Sequence, residues 1–304
     1  MSPVRRELVP VDWDWLVEPL DDSLVAAGLG TSAYHLKDLA RLPLHAIRLI
    51  LEPFLPAMER ALGPITTGRG GPEPLGREVL GAGYEGIVIG AYLVDLDEPV
   101  VIKLGGLIEP YHPVSSDFVA SAQIVGEDIP GVAKVYGVWA FELVGKKAQG
   151  TELLALVRER VSTDWAEFER LVPLEGPPRP GRHPDHQWPL DEFWDGVRDW
   201  MPAIATACLY GRPPESVAQG WPGEGGVQEF LEWQSWPPAQ SFFEGIRNLA
   251  ARRICAGDDI KRDNMGWRFG PDGMPELVIL DLGLSDAAGD WTESPRRPNR
   301  RRRR

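Results

Sequence analysis

The octet Gly257-Asp-Asp-Ile-Lys-Arg-Asp-Asn264 sets three carboxylates, two cations and one amide side by side, directly after the helix-like run FFEGIRNLAARRICA. Such a cluster is either a solvated loop or a site that handles phosphate and a hard metal ion. Two further stretches bear on that choice. Gly81-Ala82-Gly83-Tyr84-Glu85-Gly86-Ile87-Val88 spaces three glycines ahead of a β-branched run, IVIGAYLV. A dinucleotide site of the Rossmann kind needs a helix straight after such glycines. A strand follows here, so the glycines form a flap between two strands, whose amides can approach phosphate oxygens with no side chain in the way. Lys103 ends the run Val-Val-Ile-Lys on the neighbouring strand. An ammonium beneath the flap suits the α- and β-phosphates of a nucleotide; standing alone, it would be an edge lysine with its head in water.

The elements that must hold these residues follow from the pattern of apolar positions. The N-terminal segment is Trp- and Asp-rich, and HLKDLARLPLHAIRLILEPFLPAMERAL repeats its apolar residues at three and four, a helix interrupted by Pro43, Pro53 and Pro56. GPITTGRGGPEP is a Gly/Pro linker. Strands are expected for LGREVLGAGYEGIVIGAYLV and PVVIKL around the turn DLDE, and again for GVAKVYGVWAFEL and TELLALVRERV, with a short helix over SSDFVASAQIVG. Asp95 and Asp97 are simplest as turn residues. These runs predict an antiparallel sheet. Helices are expected in STDWAEFERLV, capped by Ser162 or Thr163, in LDEFWDGVRDWMPAIATACLYG, in VQEFLEWQSW and in AQSFFEGIRNLAARRI. MGWRFG and MPELVILDLG form a hairpin about Pro271-Asp272-Gly273. The strand ELVIL thus delivers Asp281-Leu282-Gly283 at its end.

Composition narrows the function classes. Of the 304 residues 43% are hydrophobic and 25% charged, as in an ordinary globular protein. No apolar run is long enough to span a bilayer and the N-terminus has no signal-peptide core, so no membrane partner is expected. Two distant cysteines, Cys208 and Cys255, make a disulfide framework improbable and point to a reducing cytoplasm. Net charge is -13; setting aside the seven arginines of the tail PRRPNRRRRR leaves 25 basic against 45 acidic residues, or -20 for the body. An acidic body disfavours nucleic acid, except through the arginine tail, which otherwise reads as a disordered, solubilising end. The tryptophans between residues 188 and 236 are core and loop anchors rather than a ligand cage. His183, Asp185 and His186 lie in a Pro-rich loop with no cysteine partner, an exposed loop rather than a metal site.

Taken together, the glycine-rich GAGYEGIV, the VVIK lysine, the loop GDDIKRDN and DLG, in that order, resemble the protein-kinase fold over about residues 76–290. The resemblance implies an α+β protein with two lobes: an N-terminal helical extension (1–75), a β-sheet N-lobe (76–162), a mostly helical C-lobe with an atypical insertion (163–294) and a basic tail (295–304). It implies ATP and Mg2+ as cofactors. Asp259 resembles the aspartate that receives the substrate hydroxyl's proton, and Lys261 the lysine that contacts the γ-phosphate in serine/threonine-type kinases. Asn264 and Asp281 resemble the magnesium ligands, and Lys103 the lysine of the α- and β-phosphates. Gly81, Ala82, Gly83, Gly86 and Val88 would cover the nucleotide. Val157 falls at the gatekeeper position, with the Glu159 carbonyl and the Val161 N–H offered to adenine. The acid that pairs with Lys103 is left between Asp117 and Glu109, Asp117 fitting better by distance along the chain.

The pattern also departs from the family. Gly257-Asp258 replaces the usual His-Arg, so control through a phosphorylated activation loop is not expected. No APE motif follows, and only 21 residues come after Gly283, so residues 1–75 and the insertion at 163–245 must cover the second lobe's core. The activity implied is transfer of a phosphoryl group to a Ser/Thr hydroxyl of a protein, the chain itself included. The alternatives are a small-molecule kinase of the aminoglycoside or choline type, and an ATP-binding pseudokinase that serves as a binding module.

Overall fold

In the β-branched runs of the first half, successive side chains alternate between two faces, and one face is apolar throughout. The computed structural model describes residues 5–12, 51–66, 79–83, 86–108, 116–144, 152–172, 189–218, 233–255, 260 and 262–284. The chain divides into two units, residues 1–129 with 133–161, and residues 130–132 with 162–304.

The first unit runs β1 (Arg5–Asp12), α1 (Leu55–Leu62), β2 (Ile65–Thr66), β3 (Val79–Gly83), β4 (Gly86–Leu93), β5 (Glu98–Ile108), α2 (Ser116–Ala122), β6 (Val135–Val144) and β7 (Glu152–Glu159). Its centre is an antiparallel sheet of five strands in the order β3-β4-β5-β7-β6. β2 pairs with the far end of β4, and β1 adds a parallel strand to the edge of β6. Both strands depart from the expected organisation of residues 1–75, where none was foreseen and Ile65–Thr66 was expected within a linker. Pro10 within RRELVPVD argues against a strand in a sheet's middle; at an edge its missing N–H costs no ladder bond, and the pairing with β6 shifts register between Leu8 and Asp12.

The apolar face of the sheet carries Ile87 and Ile89, Ile102 and Leu104, Trp139 and Phe141, and Ala155 and Val157, all buried against Leu51, Phe54, Ala57 and Met58 of α1 and the turn before it. Pro56 stands in the first turn of α1, where a missing N–H is tolerated, and Gly63 ends the helix at φ 82°. The helix expected upstream of residue 51 lies outside the described residues. Phe54 and Phe141 stack at 4.7 Å between ring centroids. Gly137 is needed where it is: a β-carbon there would stand 2.3 Å from the Trp139 ring.

The second unit contains α3 (Trp165–Leu171), α4 (Pro189–Tyr210), α5 (Pro214–Ala218), α6 (Pro237–Ala251), β8 (Ile254–Cys255), a single 3-10 turn (Arg262–Asn264), the hairpin of β9 (Met265–Phe269) and β10 (Pro275–Ile279), and β11 (Gly283–Leu284), which pairs with β8. α3 is capped by Asp164, not by Ser162 or Thr163: the Asp164 carboxylate accepts the Glu167 N–H at 3.0 Å. Ser162 is taken up by a backbone bridge to Trp267. The core is aromatic. The Phe193 ring lies 5.1–6.4 Å from the rings of Trp194, Trp200, Trp233, Trp236, Phe242 and Phe243. Trp200, Trp233 and Trp236 are buried there, as anchors of the core. Among the described residues no helix is long and apolar enough to cross a membrane.

Candidate functional site

In the first unit the site is built on the face of the sheet opposite the apolar core. Residues directly opposite one another in an antiparallel pair share a face, and Lys103 of β5 is opposite Val88 of β4 and Leu156 of β7. Two residues towards the β3–β4 turn, the opposed pair on that face is Gly86 and Gly105. Gly81 is opposite Val88 and Gly83 opposite Gly86, so the first and second glycines of the flap also hold register positions on this face, while Ala82, opposite Ile87, holds one on the other. Beyond Val88, the register positions around Lys103 on the flap side are therefore held by glycine, and backbone is open to close approach. Tyr84 and Glu85 lie outside the described residues.

The Lys103 ammonium donates to the Asp117 carboxylate at 2.7 Å, with the two side chains only 7% and 4% exposed. Asp117 stands in the first turn of α2, its second oxygen accepting from the Ser121 hydroxyl at 3.3 Å, one helical turn on. The neighbouring Phe118 ring lies 5.7 Å from the Lys103 nitrogen. Of the two acids considered for Lys103, Asp117 is the one found paired; Glu109 lies outside the described residues. Burying an ion pair this fully brings a large desolvation penalty, which short distance and added hydrogen bonds only partly offset. Such pairs occur at functional sites and in structural ion-pair networks alike.

The same face carries a residue that sequence reasoning passed over. Arg158 is opposite Val101 and two positions from Leu156, so it shares the Lys103 face, and its guanidinium comes within 3.7 Å of the same Asp117 oxygen. Val157, expected at the gatekeeper position, is corrected by the register: it packs in the apolar core with Ile102, on the face away from Lys103. The signal was present in the alternation LALVRE, where a count displaced by one residue exchanges the faces. Glu159 closes β7 with a two-point clamp, its N–H donating to the Lys134 carbonyl at 2.8 Å and its carboxylate accepting the Lys134 N–H at 3.1 Å. Val161, half-buried, follows β7.

In the second unit the β9–β10 register decides the geometry. Met265 is opposite Ile279, so the residues flanking that pair, Asn264 and Leu280-Asp281, meet at the open end of the hairpin. The Leu280 N–H donates to the Asn264 carbonyl at 2.9 Å, and the Asp281 N–H reaches the same oxygen at 3.4 Å. Asn264 is buried and Asp281 half-buried. Seventeen residues apart in sequence, the amide and the carboxylate are adjacent through their backbones. Among the described residues no three His, Cys, Asp or Glu gather as a metal cage. An oxygen-only donor set of one amide and one carboxylate fits Mg2+, which keeps several waters and takes phosphate oxygens for the rest. Asp259 and Lys261 lie outside the described residues, as does the loop of His183, Asp185 and His186; Ile260 between the first two is buried.

No protein-family model matches the chain, and no curated protein matches it at a significant level.

Proposed function

We propose that the chain is an ATP- and Mg2+-dependent phosphotransferase of protein-kinase-like, two-lobed build, transferring the γ-phosphoryl group to a Ser/Thr hydroxyl of a protein. One observation carries the reading: a lysine is held by a buried carboxylate on a sheet face whose flap side is lined by glycine. Phosphoryl transfer asks the protein for positioning and for electrostatic stabilisation more than for covalent chemistry. Lys103, fixed by Asp117, answers to the α- and β-phosphates, and the amides of the glycine flap to the phosphate oxygens above it. Asn264 and Asp281 would hold Mg2+, which when bound neutralises charge on the phosphates. Asp259 orients the attacking hydroxyl and takes its proton, and Lys261 offsets charge on the transferred group. The strand order β3-β4-β5-β7-β6 and the hairpin that pairs Asn264 with Asp281 are the arrangements this reading calls for.

The test is transfer from γ-labelled ATP in Mg2+. Label on the chain or on added protein is expected, and Asp281→Ala should abolish it. Asp259→Ala should lower kcat by several orders while leaving the affinity for ATP within a few-fold, because its work is done on the nucleophile. Label passing only to small metabolites would move the reading to a small-molecule kinase. ATP binding without transfer to any acceptor would move it to a pseudokinase.

A further inference from the structure

We infer that Arg158 is a second phosphate-binding residue, and that Lys103 and Arg158 grip one phosphate group between them with Asp117 as their common anchor. The inference deepens the proposed function and rests on it for the identity of the physiological ligand, but the anion site it describes is tested separately.

Three observations carry it. The first is the shared oxygen: Asp117 Oδ2 lies 2.7 Å from the Lys103 ammonium and 3.7 Å from the Arg158 guanidinium. The two cationic groups are thus no farther apart than those two distances laid end to end, a gap that one phosphate group can bridge with an oxygen to each. The second is the quality of the two contacts. The ammonium makes a short hydrogen bond to the carboxylate, whereas the guanidinium is its electrostatic neighbour at a distance beyond a hydrogen bond. The planar fork of an arginine suits two phosphate oxygens, a geometry that lysine cannot offer. The third is the setting. Arg158 and Lys103 occupy adjacent strands on one face, their side chains 6% and 7% exposed, and the Gly86–Gly105 pair opens that face on the side of Lys103 away from Arg158. Among the described residues of the first unit, Lys103, Asp117 and Arg158 are the buried charged side chains, and all belong to this one cluster. A charge-assisted hydrogen bond in so little water contributes far more than one at a surface.

The experiment uses the full chain and two probes, ATP with Mg2+ and inorganic triphosphate, with affinities read by calorimetry and each variant's thermal stability recorded without ligand. Arg158→Met removes the guanidinium while leaving the Lys103–Asp117 pair intact. It should weaken both probes by about tenfold or more, the loss of one charge-assisted bond. Arg158→Lys guards against a merely misfolded variant; it restores a cation without the fork and should bind triphosphate more tightly than Arg158→Met. Both probes binding Arg158→Met as tightly as the unaltered chain would overturn the inference while leaving the phosphotransferase reading standing. Triphosphate bound in an Arg158-dependent way by a chain that ignores ATP would support the anion site and count against that reading. Neither probe binding the unaltered chain would overturn both.

Discussion

Asp117 is one methylene shorter than the glutamate that the family resemblance leads one to expect, yet its carboxylate reaches the Lys103 ammonium at 2.7 Å. With both side chains nearly water-free, removing either one strands the other where charge is poorly solvated. Asp117→Ala is expected to cost about 3–5 kcal/mol of unfolding free energy in urea titrations. Asp117→Glu keeps the charge but forces a methylene into a filled site, and should cost about 1–3 kcal/mol. Equal losses in the two variants would mean that volume, not charge, holds the position. At this scale the sequence showed which chemical groups to look for and not which way they face. Lys103, Asn264 and Asp281 were recognisable because their types recur at fixed separations in order along the chain. Distance along the chain favours Asp117 over Glu109 without deciding between them, because it does not say which side of a helix meets the sheet. Arg158 was hidden behind Val157 by a displacement of one residue, and in a strand one residue is the difference between the core and the site.

At the scale of elements, strands and helices were legible wherever the apolar period was unbroken: β4 and β5 by alternation, α4 and α6 by recurrence at three and four, β9 and β10 by their Pro-Asp-Gly turn. What was not legible depends on tertiary pairing. β1 exists through the edge of β6, and α3 starts only at Trp165, with Asp164 as its cap, while Ser162 is held by a backbone bridge to Trp267 across the unit. The segment 130–132 is another such case. Gly131 has φ 66°, and a β-carbon on it would lie 2.1 Å from the Ser241 carbonyl of α6; one on Gly245, in α6, would lie 2.6 Å from the Pro130 carbonyl. The two backbones meet at glycine on both sides, and the Ile279 N–H of β10 donates to the Gly131 carbonyl at 2.8 Å. Gly131→Ala and Gly245→Ala should each lose about 2–3 kcal/mol or more, since backbone rather than a flexible side chain must give way. Gly273→Ala is the control: φ is 79° but a β-carbon there meets nothing within 4 Å, so only the conformational cost of about 1–2 kcal/mol applies. A Gly273→Ala loss as large as that of Gly131→Ala would show that positive φ, not the close approach, sets the penalty at Gly131.

At the scale of the whole molecule, the expectation that residues 1–75 form a helical extension meets a first unit in which residues 51–66 are part of the core. An antiparallel sheet must cover its apolar faces with something. Here Leu51, Phe54, Ala57 and Met58 do so, each 3% exposed or less. The sequence showed an amphipathic helix and, separately, a set of alternating strands; that the first is the lid of the second emerges only when both are folded. Phe54 is the residue on which to test it, fully buried and stacked on Phe141. Phe54→Ala is expected to cost about 3–5 kcal/mol, the transfer free energy of the ring together with the cavity it leaves. The substitution lies on the face away from Lys103 and Asp117, so ATP affinity measured well below the unfolding transition should stay within a few-fold of the unaltered chain's. Deleting residues 1–66 goes further: it bares the row from Ile87 across to Val157, a contiguous apolar surface of the kind that associates in water. The truncated chain is therefore expected to aggregate, or to need detergent to stay dispersed, by light scattering at micromolar concentration. A monodisperse truncated chain with an unshifted melting temperature would show that the helix is an appendage, and that the apolar face is covered from elsewhere.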